Sequence, residues 1–261
     1  MSNPLLNYEH RGSGETLVIM HGLFGSLRNW QTLSKRLAEN FSVITVDLRN
    51  HGDSFHDPQM DYRVMAGDII RLLDHLELSS AHILGHSMGG KVAMTAANLN
   101  PQRVDKLIVA DIAPVRYLHD YEHLIEPVMQ LDLSSVRNRK QVDQELSDAI
   151  TDVGLRQFMV QNLVIEQGQA RWKTNWQAIK DNMKAIVGFE SINNWQIHNP
   201  ALFLRGADSN YVMDMSLQKI KRHFLNCQVI TIEQAGHWLH AQQPEAFYQH
   251  VHRFLIGSHD K

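Results

Sequence analysis

The chain has 261 residues, of which 43% are hydrophobic and 20% charged, with a formal net charge of −3. That length supports one large domain with a sizeable core, and the mild acidity excludes a dedicated nucleic-acid binder. No apolar stretch approaches the roughly 18 residues of a spanning helix, the start MSNPLLNYEHRGSGE lacks the layout of a signal peptide, and Cys227 is the single cysteine, so no membrane partner is expected and the cytoplasm is the expected compartment.

Short runs rich in Val, Ile and Leu recur at 17–20, 43–46, 82–84, 107–110, 201–204 and 229–232. Each is too short for a helix, which predicts buried parallel strands. Between them, Met65, Ile69, Leu72, Leu73 and Leu76 fall at helical spacing and form one apolar stripe. Phe247, Val251, Phe254 and Leu255 do the same near the end. Alternating strands and helices predict an α/β layer fold with helices on both faces. The alternation breaks over 114–200, which reads as helical throughout and as an insertion. The expected organisation is therefore a core of 1–113 and 201–261, with a helical cap at 114–200.

The stretch AHILGHSMGGKVAM at 81–94 carries G-x-S-x-G, with Ser87 at its centre. A serine on a sharp strand-to-helix turn is exposed at the sheet edge, where it can act as a nucleophile. Its hydroxyl needs a general base, and the base needs an orienting acid. His237, in AGHWLHA after the last predicted strand, is the candidate base. Asp111 ends the strand KLIVAD and Asp208 follows the next one in LFLRGADSN. Both qualify as the acid, and chain order does not choose between them. Oxyanion donors are expected from the amide of Met88, at the start of a helix, and from that of Leu23, after His21-Gly22.

Taken together, HGLFGS at 21–26, VDLRNHGDS at 46–54, GHSMGGK at 85–91, DIAPV at 111–115 and AGHWLHA at 235–241 resemble the α/β-hydrolase superfamily. Within it the chain is similar to the YbfF-type bacterial esterases, with a helical cap over the serine. The resemblance implies a three-layer α/β core with a mostly parallel sheet, and a hydrolase of carboxylic esters or thioesters that uses no cofactor. It further implies Ser87 as nucleophile, His237 as base and Asp111 as acid, with Asp208 as the alternative. The expected partner is a small ester or thioester of short to medium acyl chain. A carbon-carbon bond hydrolase and a non-catalytic ligand receptor on the same fold are the alternatives.

Phe24, Trp30, Tyr211, Trp238 and Trp195 are candidates to line an apolar substrate pocket. Lys91 is expected to pair with a carboxylate, and Asp47, Arg49 and Asp53 to form scaffold around the RNHG loop. His119 and His123 have helical i, i+4 spacing without a third ligand, and the glycines fit neither nucleotide motif, so neither metal nor nucleotide is expected. Arg137, Arg139 and Lys140 read as a solvated basic face.

Overall fold

Strand β4 (Ala81–His86) is buried along its whole length, as its unbroken apolar run requires. It lies at the middle of a seven-stranded sheet in the computed structural model, which describes residues 4–118, 121–189 and 194–257. The other strands are β1 (Tyr8–Arg11), β2 (Thr16–Met20), β3 (Ser42–Val46), β5 (Val104–Ala110), β8 (Ala201–Gly206) and β9 (Cys227–Ile232). Their order is β1-β3-β2-β4-β5-β8-β9, with β1 antiparallel to β3 and the remaining pairs parallel. Strand β1, YEHR, is a half-exposed edge strand with no apolar run, which is why its sequence does not announce it.

Helices α2 (Tyr62–His75) and α3 (Met88–Leu99) cover one face, while α1 (Gln31–Leu37) and the helix Pro244–Ile256 cover the other. The Asp61 side chain starts α2 by accepting from the amides of Arg63 and Val64. Behind it the stripe Met65, Ile69, Leu72 and Leu73 is fully buried on the sheet.

The segment between β5 and β8 leaves the sheet and returns to it, and it carries helices at Glu122–Gln130, Arg139–Glu145, Val153–Val160, Trp176–Asp181 and Met183–Val187. It is not helical throughout. Strands β6 (Leu163–Glu166) and β7 (Gln169–Trp172) pair as an antiparallel hairpin. Its tight loop is Gln167-Gly168, both with positive φ (51° and 79°), the backbone twist a two-residue hairpin turn demands. The segment docks on the loops after β2 and β3: Asn162 Nδ2 donates to Phe24 O at 2.8 Å, the Asn175 amide to Asn50 O at 2.9 Å, and Lys173 pairs with Asp53 at 2.5 Å. Among the described residues, no helix is long and apolar enough to cross a membrane.

Candidate active site

Ser87 joins β4 to α3 with φ 52° and ψ −117°, a conformation that non-glycine residues avoid. The flanking glycines make the turn possible. A Cβ on Gly85 would run into the Gly89 carbonyl, and one on Gly89 would stand 2.6 Å from His21 O. Gly22 also lies close, since a Cβ there would be 3.2 Å from Ser87 Cβ. The loop after β2 is therefore pressed against the serine.

Ser87 Oγ lies 3.0 Å from Nε2 of His237, and Nδ1 of His237 lies 2.8 Å from Oδ2 of Asp111. The Asp111 carboxylate is fully buried and also accepts from the Gly206 amide at 3.1 Å and from the Ser209 hydroxyl. Such multiple donors hold a carboxylate in one orientation. Asp111 itself takes φ 48°, which turns it off the end of β5 toward His237. Asp208 is exposed, and it is the Asp208 amide, bonded to Ala235 O at 2.9 Å, that ties it to this loop. Of the two acids after neighbouring strands, only Asp111 has its carboxylate within hydrogen-bond reach of the imidazole.

His86, the residue before the serine, holds the histidine loop from below. Its Nε2 donates to the backbone carbonyl of His237 at 2.7 Å, and burial keeps the ring neutral by pushing its pKa well below 6.5. Ser209 and His86 hold Asp111 and the His237 loop in place, and nothing in the sequence pattern marks them for it. Both are reached through loop closure, which leaves no local pattern in the chain.

Leu23 and Met88 border the same cleft as Ser87. Met88 opens α3, and amides in the first turn of a helix have no intrahelical acceptor. The loop carrying Leu23 is fixed by two buried histidines. The Leu48 amide donates to His21 Nε2 at 3.0 Å, so Nδ1 carries the proton and donates to Gly22 O at 2.7 Å. The Phe24 amide likewise donates to His51 Nε2 at 3.2 Å, and His51 Nδ1 donates to Arg49 O at 3.0 Å. Burial lowers His21 to about 4, and burial together with the neighbouring His21 lowers His51 to about 3, so both rings are neutral at pH 7. Asp47 accepts from the amides of Leu27 and Asp53, and Arg49 forms a buried pair with Asp68 at 2.6 Å.

The cleft beside Ser87 is small, with a volume of about 30 Å³, and Tyr211 forms part of its wall. The other expected aromatic contacts lie elsewhere. Trp30 is 1% exposed and is stacked on His240 at 4.5 Å on the opposite face of the sheet, where core packing claims it. Phe24 is buried against Trp176 and Tyr121, and Trp238 turns its ring toward Phe158 at 5.9 Å. Trp195 lines a separate cavity of about 490 Å³ with Tyr62, Leu99 and Phe189, and neither Ser87 nor His237 is among its walls. Arg137, Arg139 and Lys140 are exposed, as expected, and Arg139 and Arg137 also donate to backbone carbonyls (Leu163, and Ser134 and Val136). His119 lies outside the described residues.

Residues 15–244 match the family model described as alpha/beta hydrolase fold. The chain belongs to the α/β-hydrolase fold family. It is 34% identical over 248 residues to Esterase YbfF of Escherichia coli, covering 95% of each chain. It is 36% identical over 247 residues to the sn-1-specific diacylglycerol lipase ABHD11 of Mus musculus, covering 92% of this chain and 80% of that protein. Among solved α/β-hydrolase structures, a marine microorganism esterase superposes with a TM-score of 0.93 at 39% identity, covering 97% of this chain and all of that one.

Proposed function

We propose that this α/β-hydrolase is a serine esterase of small carboxylic esters that works through an acyl-enzyme. The single observation that carries the reading is the continuous chain from Ser87 Oγ to His237 Nε2 at 3.0 Å and from His237 Nδ1 to Asp111 Oδ2 at 2.8 Å. Similarity to esterases at 34% and 39% identity supports the same reaction class.

In this reading His237 Nε2 takes the Ser87 proton as Oγ attacks the ester carbonyl. The amides of Leu23 and Met88 stabilise the oxyanion. Collapse of the tetrahedral adduct expels the alcohol, which leaves with the proton held on His237. Water then attacks the acyl-serine, His237 accepts its proton and returns it to Ser87, and the acid departs. Asp111 keeps Nδ1 protonated and stabilises the imidazolium formed in each step. The narrow cleft favours short to medium acyl chains over long lipids, since water-excluding walls limit both volume and reach. A thioester would follow the same course with a thiol as leaving group, and the single cysteine suits a reducing cytoplasm.

The test is covalent labelling with a fluorophosphonate combined with p-nitrophenyl ester turnover. Labelling mapped to Ser87, with turnover abolished in Ser87→Ala, is expected. Tight ligand binding without either would instead identify a receptor.

A further inference from the structure

Lys91 lies one helical turn beyond Ser87 on α3, and it is only 1% exposed. Its Nζ donates to the carbonyls of Val187 at 3.2 Å and Gly188 at 2.6 Å, at the C-terminal end of the cap helix Met183–Val187. The rings of Tyr117, Tyr62 and Phe189 surround it at 4.8, 5.4 and 5.5 Å. The expected carboxylate partner is not there: among the described residues no Asp or Glu forms an ion pair with Lys91.

Carbonyl dipoles and ring faces hold a cation in place without neutralising it. An ammonium has three donors, and the two carbonyls use two of them. Lys91 borders the same cleft as Ser87, Leu23 and Met88, and among the described residues no acidic one lines that cleft. Buried charges are ordinarily paired. Burial lowers Lys91 to about 7, so an anion beside it would also restore its charge. The cleft thus has a place for one negative charge that none of the described residues fills.

We propose that Lys91 recognises an anionic group on the substrate, and that the preferred esters carry a carboxylate a few bonds from the scissile carbonyl, as half-esters of short dicarboxylic acids do. The short spacing follows from Ser87 and Lys91 bordering one small cleft. This rests on the serine-esterase reading, and it adds a substrate class to it.

The experiment compares kcat/KM for matched pairs followed by acid release: monomethyl succinate against methyl butyrate, which places the carboxylate on the acyl side, and acetoxyacetate against ethyl acetate, which places it on the alcohol side. The expected result is a preference of about tenfold or more for the anionic member of one pair, a typical worth for a charge-assisted hydrogen bond in a buried site. Lys91→Met should reduce that ratio about tenfold, whatever it does to the neutral ester. Were that variant not to fold, the wild-type ratios decide alone. Equal or inverted preference in both pairs, or an unchanged ratio in a folded Lys91→Met, overturns the assignment while leaving the esterase intact. Absence of any ester turnover together with absence of Ser87 labelling overturns the esterase reading, and this inference with it.

Discussion

The ring of Tyr211 lies flat on the imidazole of His237, with centroids 3.7 Å apart and planes 14° from parallel. Tyr211 is itself clamped: its hydroxyl is 2.7 Å from that of Tyr121, and its carbonyl accepts from Tyr117 at 2.7 Å. Both clamping tyrosines belong to the segment inserted between β5 and β8. The insertion therefore presses one face of the proposed base into line, besides covering the serine. An aromatic face also favours a cation, which is what the imidazole becomes in the transition state of the proposed reaction.

Tyr211→Leu should accordingly lower kcat about tenfold (about 1.4 kcal/mol) with little change in Tm, whereas Tyr211→Phe keeps the stack and should lose much less. Steady-state kinetics on one soluble ester, beside a melting curve, makes the comparison. Equal losses in the two variants would mean that the hydroxyl clamp and not the ring is what matters.

The choice of acid is open to a similarly direct comparison. Asp111→Asn should cut kcat by roughly 10³ to 10⁴, because the amide would stabilise the wrong tautomer of His237 and no imidazolium. Asp208→Asn, at an exposed position, should stay within about twofold of wild type. A collapse of kcat in the second variant would contradict the geometry.

Gly85→Ala probes the strained turn. Its new Cβ would meet backbone at Gly89, which has no flexible side chain to give way. Overpacking against backbone should cost roughly 3 kcal/mol or more and displace Ser87. The expected outcome is a lowered denaturation midpoint and loss of fluorophosphonate labelling. A variant that labels at the wild-type rate would show that the turn tolerates a methyl group.

The neutral histidines give stability a pH dependence whose sign can be worked out. Burial lowers His21 to about 4 and His51 and His240 to about 3, against 6.5 for a free imidazole. Between those values the unfolded chain takes up protons that the native state refuses, so stability is complete above about pH 6.5 and falls as the pH drops toward 4. Each such histidine contributes up to about 1.4 kcal/mol per pH unit within that window. Urea midpoints should be level between pH 7 and 8 and fall steadily from 6.5 to 5, above the range in which ordinary carboxylates titrate. A flat profile from pH 7 to 5 would refute it.

Arg49 and Asp68 form a buried two-point ion pair, with Arg71 as a third member. Asp68→Ala would leave the Arg49 guanidinium buried without its main partner, and should destabilise the fold by about 3 to 5 kcal/mol. Thermal and urea unfolding check this. Activity of the remaining folded fraction should change little, because the pair lies in the scaffold under the loop and away from Ser87.

Local physical chemistry made much of this protein readable in advance. Buried parallel strands must be short, apolar and β-branched, so the runs at 17–20, 43–46, 82–84, 107–110, 201–204 and 229–232 each fall within a strand of the sheet. Ser87 was legible because its strained turn needs glycine at nearby positions, a requirement that is written in consecutive residues. The parts that stayed hidden depend on loops meeting across the sheet edge. Asp111 and Asp208 end up on either side of a choice no spacing expresses, decided by the φ of 48° that swings Asp111 inward. Ser209 and Tyr211, on the loop after β8, and His86, at the end of β4, act on the same two residues, Asp111 and His237, from two separate segments. Trp30 reads in sequence as a pocket residue and is core in the structure, since an aromatic ring at a loop's end is equally suited to either and only packing against His240 and Phe247 decides. Lys91 reads in sequence as one half of a salt bridge, and only tertiary structure surrounds it with carbonyls and rings, because which groups face a buried amine is fixed by the docking of the 114–200 segment and not by its neighbours in sequence.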